Sequence, residues 1–109
     1  DMQVQGQIHI SPVVFSPDND GVDDFAFINY QLSEPNYVAN ISIFDVSGRM
    51  VKALVKNATL SASGLFRWDG LNDLQQRLAV GPYIIVTEIF NLKGKTKRFK
   101  NVVTVARRF

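Results

Sequence analysis

The stretch "YIIVTEIFNLKGKTKRFKNVVTVA", Tyr83 to Ala106, decides the fold class. Two runs rich in β-branched residues flank Asn91-Leu92-Lys93-Gly94, where Asn and Gly supply the backbone freedom of a tight turn. The segment reads as a long antiparallel hairpin.

Working back along the chain, the same pattern recurs. Gln3 to Ile10 reads as a first strand, broken by Ser11-Pro12 before the short apolar piece Val13-Val14-Phe15. In "DFAFINYQL", Ala26, Ile28, Tyr30 and Leu32 alternate with Phe25, Phe27, Asn29 and Gln31, and the two early phenylalanines suggest burial on both sides. Ala39, Ile41 and Ile43 alternate against Asn40 and Ser42 in a half-buried strand ending at the turn Asp45-Val46-Ser47-Gly48. "RMVKALVKN" returns from that turn, and "GLFRWDG" is a further strand ending at Asp69-Gly70. No segment keeps an apolar period of 3.6 residues. About seven strands in one domain spanning 1–109 predict an all-β fold, an immunoglobulin-like antiparallel β-sandwich.

Composition agrees with a globular domain and narrows the function. The 109 residues are 46% hydrophobic and 20% charged, enough for one small core. No apolar run approaches the ~20 residues of a membrane helix, so no membrane insertion is expected. The chain begins Asp1-Met2-Gln3 without a signal-peptide pattern and is expected to be a domain excised from a larger protein. Cysteine is absent, which excludes disulfides and thiolate metal sites. Net charge is +2, yet Lys93, Lys95, Lys97, Arg98, Lys100, Arg107 and Arg108 all follow Asn91. Alternation puts Lys93, Lys95 and Lys97 on one face and Arg98 and Lys100 on the other. Lysine on an edge strand commonly blocks edge-to-edge aggregation, and aromatic interleaving is thin, so no nucleic acid partner is expected.

The acids concentrate in "SPDNDGVDD", Ser16 to Asp24. Asp18 and Asp20 with the Val22 carbonyl and Asp23 or Asp24 could surround calcium, a hard cation that takes six to eight oxygens. The helix-loop-helix calcium pattern fails, since Ser16 stands at its first ligand position and Phe27 at its last. The competing reading is a network of Asx turns whose carboxylates accept backbone N–H bonds; the ordinary use of Asp, Asn and Gly in turns favours it. Calcium is the one cofactor the sequence suggests. Catalysis is not expected: a polar surface loop does not separate carboxylate pKa values, Asp69 and Asp73 read as a turn, and His9, the sole histidine, has no nucleophile motif near it. No glycine cluster forms a phosphate loop.

Three motifs carry a resemblance. Phe44-Asp45 with Gly48-Arg49 and Val51, then Trp68-Asp69-Gly70, then Gly81-Pro82-Tyr83, resemble the Ig-like domain named after the C-terminal part of the flagellar hook-capping protein FlgD. The upstream "FSPDNDGVDDF" is similar to the opening of C-terminal modules of secreted and surface proteins of the Bacteroidota, some of which carry a lamin-tail-like domain. Two positions depart: Gln75-Gln76 stand where the family often has glycine, and residue 19 is Asn rather than Gly. With "VARRF" read as a C-terminus, the resemblance implies a non-catalytic C-terminal module of a secreted or cell-surface protein. Its role would be export, surface attachment or spacing, with an upstream domain of the same chain and secretion or surface machinery as partners. The alternative is a protein- or glycan-binding adhesion module, for which Tyr37 is the one obvious aromatic in a loop.

Overall fold

In the computed structural model, which describes residues 6–18, 21 and 23–107, two sheets pack face to face. The strands are β1 (Gly6–Ser11), β2 (Val14–Phe15), β3 (Ala26–Leu32), β4 (Val38–Phe44), β5 (Met50–Thr59), β6 (Ser63–Trp68), β7 (Gly81–Phe90) and β8 (Thr96–Val105). One sheet has the order β1-β3-β6 and the other β2-β8-β7-β4-β5. All neighbours are antiparallel except β2, which runs parallel to β8 through Val14↔Thr104 and Phe15↔Val105.

The sequence reading of seven strands becomes eight because the apolar piece after Ser11-Pro12 is itself a strand. The break lets the chain leave the three-stranded sheet after β1 and join the five-stranded one as β2. A proline has no N–H to contribute to a ladder, so it marks the crossing point.

Alternation decides which residues enter the sandwich. Ile10, Ala26, Ile28, Leu32 and Trp68 face inward from one sheet, and Phe15, Ala39, Ile41, Ile43, Tyr83, Ile85, Ile89, Val103 and Val105 from the other. Size is matched across strands: Ala26 lies opposite Trp68, and Tyr30 opposite Gly64. A methyl group on Gly64 would lie 2.6 Å from the Tyr30 hydroxyl oxygen, so the ring lies over this glycine while stacking 5.8 Å from Phe66. Phe25 and Phe27 are only half-buried, and the Arg67 guanidinium sits over Phe25, 4.6 Å from its ring centre.

Three turns share one construction. In each, an Asp or Asn oxygen accepts the N–H of the second and fourth residues after it, and the same residue's backbone N–H and C=O close the turn. Asp45 binds Ser47 and Arg49 at 3.0 Å each; Asn72 binds Leu74 and Gln76 at 2.9 Å each; Asn91 binds Lys93 and Lys95 at 3.0 Å each. Their first backbone N–H groups donate to the carbonyls of Arg49, Gln76 and Lys95. The third residue after the Asp or Asn is left-handed in all three turns: Gly48 at φ 90°, Gln75 at φ 63° and Gly94 at φ 83°. Lys93 and Lys95 therefore sit in the turn, and of the three alternating lysines only Lys97 lies on a strand.

Candidate functional site

The end of the sandwich that gathers the quoted motifs is organised by Trp68, which has no exposed surface. Its ring meets Phe15 at 5.5 Å and the edge of Tyr83 at 5.7 Å, arrangements favoured by the aromatic quadrupole. The indole N–H donates to the Leu71 carbonyl at 3.0 Å, which holds the Asp69-Gly70 turn against the core. Asp69 accepts the Leu71 N–H at 3.1 Å, and Tyr83 donates its hydroxyl to the Ala79 carbonyl at 2.7 Å. Burial, and secondarily the charge of Asp45, raises the Tyr83 pKa above its ordinary value. The phenol is a fixed donor.

Gly70 joins this turn to the acidic loop. It is left-handed at φ 80°, and a methyl group there would lie 2.7 Å from Cγ of Pro17. The loop itself is closed by backbone bonds: Ser16 N–H donates to the Asp23 carbonyl at 2.8 Å, and Asp18 N–H to the Ser16 carbonyl at 2.8 Å. The Asp24 carboxylate accepts the Gly21 N–H at 2.8 Å. Of the five residues read as calcium ligands, Asp18, Asp23 and Asp24 are placed, whereas Asp20 and Val22 lie outside the described residues, as does Asn19. Among the described residues no three His, Cys, Asp or Glu side chains converge as a metal site. Asp18 lines a cavity of about 20 Å³ with Arg77 and Arg107, room for a single water.

The other candidates separate. His9 is exposed on the outer face of β1, in an open groove lined by Asn29, Gln31, Ser63 and Leu65 and by no carboxylate. Asp73 serves structure: its carboxylate accepts the Ala53 N–H at 3.2 Å, and its own N–H donates to the Val51 carbonyl at 3.1 Å. Asp73 thereby clamps the loop after β6 onto the β5 edge. Tyr37 is not a loop aromatic available to a glycan, because it is buried in the second core cluster with Leu32, Ala39, Leu60 and Ile89. Sequence reasoning missed this because Tyr37 directly precedes β4, and alternation inward begins one residue earlier than the polar flank suggests.

Among the described residues, Asp45 is the carboxylate most strongly held in its ionised form. The Ser47 hydroxyl donates to it at 2.6 Å, and the Arg49 guanidinium lies 3.3 Å away. The Ser47 hydroxyl first, then the Arg49 backbone N–H, pull its pKa from 3.8 to about 2. These bonds all stabilise the ionised turn, so the charge has a structural use.

Among the described residues, the side chains singled out hold turns and core, and the comparisons with known proteins say what the fold is similar to. The family model of the CHU_C Type IX secretion signal domain matches residues 8–105. The chain belongs to this family. Its fold is similar to FlgD of Xanthomonas campestris, a protein of hook capping in flagellar assembly, at 25% identity and a TM-score of 0.56, over 74% of this chain and 58% of that one. It is also similar to PorZ, a surface component of the type IX secretion system of Porphyromonas gingivalis, at 19% identity and a TM-score of 0.51, over 92% of this chain and 11% of that one. CopC from Methylosinus trichosporium OB3b shares the fold at 20% identity and a TM-score of 0.52, over 79% of this chain and 78% of that one. The signal domain thus spans about half of the FlgD chain and a small part of PorZ. No curated protein matches the sequence significantly. A type IX secretion signal domain directs export of secreted Bacteroidota proteins, and the CHU_C chain is accordingly a secreted or cell-surface module of a non-catalytic type.

Proposed function

We propose that this domain acts as a folded export signal, read by the type IX secretion machinery as a three-dimensional surface. The observation that carries the reading is the extent of the family match. Residues 8–105 run from the first strand to the last residue of β8, so the recurring unit coincides with the sandwich and not with a short linear tag. The structure-bearing motifs support it, since Trp68, Gly70, Tyr83 and Asp45 are all engaged in holding turns and core.

On this reading the domain does no chemistry of its own. Its partners are an upstream domain of the same chain and components of the secretion or attachment apparatus, with neither nucleic acid nor membrane insertion involved. Calcium, if held by the acidic loop, would serve the fold. The test is to fuse the chain to a fluorescent passenger in a host with a type IX system. Passenger outside the cell or on its surface supports the reading, and passenger retained inside as in an untagged control refutes it.

A further inference from the structure

β8 pairs with β7 along its whole length, from Gly81↔Val105 to Phe90↔Thr96 without a shift in register. On its other side β2 covers only Thr104 and Val105. Among the described residues no strand pairs with that side over residues 96–103, a regular open edge of eight residues.

The direction of the backbone groups follows from two bonds. Thr104 N–H donates to Val13 O, and Ala106 N–H to Phe15 O, both at 2.8 Å. Backbone groups alternate sides along a strand, so the even-numbered residues face away from β7. Arg98, Lys100 and Val102 therefore direct N–H and C=O toward the open side, and all three are exposed.

The remaining edges are blunted. Asp73 occupies the β5 edge at Ala53 and Val51, and β5 is irregular at three places along β4. β1 and β6 are six residues each. Short, bulged or covered edges are the usual protection against stray pairing. β8 relies on charge instead, with Lys97, Arg98 and Lys100 in its outer half and only Glu88, 3.9 Å from Arg98, beside them. Pairing of two β8 strands would set these cations against each other, which disfavours a second copy as the occupant.

We propose that the open edge of β8 is a docking site for an extended, acidic segment of a partner protein, added as a further strand. Main-chain bonds to Arg98, Lys100 and Val102 would supply affinity. Carboxylates alternating along the segment would meet Arg98 and Lys100 on the outer face. This surface is defined by the fold and its charges, and does not depend on the export role.

The test uses the purified chain and a synthetic peptide of alternating glutamate and valine, with an alternating lysine–valine peptide and heparin as comparisons. The glutamate peptide is expected to bind and to slow amide exchange at Arg98, Lys100 and Val102. Lys100→Gln keeps the N–H and removes the charge; Lys100→Pro removes both and leaves the β7 ladder untouched. Binding to Lys100→Pro should be weaker than to Lys100→Gln by about tenfold, the loss of one hydrogen bond. Arg98→Glu/Lys100→Glu, which keeps every backbone donor, should reverse the preference to the lysine peptide. That arm stands even should the proline variant not fold. No binding of the glutamate peptide, equal binding by the Pro and Gln variants, or heparin protecting the same amides would overturn the proposal.

Discussion

Gly70 and Pro17 touch so closely that no side chain fits between them: a methyl group at Gly70 would stand 2.7 Å from the Pro17 ring. The contact ties the turn after Trp68 to the loop that opens β3, two motifs more than fifty residues apart in the sequence. Gly70→Ala should therefore suffer twice, from the clash and from its left-handed φ. We expect a loss of about 1–3 kcal/mol in denaturant unfolding. Pro17→Ala should recover the clash portion in a double-mutant cycle; purely additive effects would show that the two loops are independent.

The shared turn makes a prediction about Gln75. Its counterparts are Gly48 and Gly94, and its φ of 63° is costly for a residue with a side chain. Gln75→Gly should relieve about 1–2 kcal/mol of backbone strain and forfeit about 0.5–1 kcal/mol to the freer unfolded chain, a small net gain. Gly94→Ala should lose stability. A Gln75→Gly domain that melts lower would show that the glutamine side chain, not the backbone, sets that turn.

How much of this was legible in the sequence follows from the same residues. Alternation marked β3 and β4, β-branched runs and hairpin position marked β5, β7 and β8, and Asp45 and Asn91 announced their turns because glycine follows at the required spacing. The third turn was obscured because Gln75 stands at the left-handed position, where composition gives no signal. The Asp73 clamp on β5 and the Gly70–Pro17 contact were invisible for a different reason. Each depends on which distant strands become neighbours. The acidic loop keeps both of its readings: backbone bonds close it between Ser16 and Asp23, the Asp24 carboxylate accepts the Gly21 N–H, and none of these bonds distinguishes an ion-bound loop from a plain turn.

Asp45 sets an acid limit on its turn. Its pKa lies at about 2 when folded against an ordinary 3.8, so the stabilisation from its ionised form is complete above pH 4 and fades as the pH falls toward 2. Asp45→Asn, followed by thermal melts across this range, should flatten the acid slope while lowering stability at neutral pH. An unchanged slope would place the acid sensitivity elsewhere.

Calcium offers a direct comparison between the two readings of the acidic loop. If carboxylates and backbone alone hold it, the melting temperature is the same in calcium and in chelator. A rise with calcium that Asp20→Ala removes would instead establish an ion-bound loop, since a ligand that binds only the folded state stabilises it by an amount that grows with the logarithm of its concentration above Kd.

The central claim is that the folded sandwich, and not a linear stretch within it, is the export signal. Trp68→Ala removes the largest fully buried side chain and should cost about 3–5 kcal/mol, a large part of the stability of a small domain. Trp68→Phe keeps most of the volume. The decisive measurement is the fraction of a fused passenger found outside the cells for these two variants and the parent in a type IX host. The account predicts export for the parent and Trp68→Phe, with export lost in Trp68→Ala in step with its unfolding. Full export of a passenger carrying an unfolded Trp68→Ala domain would contradict it.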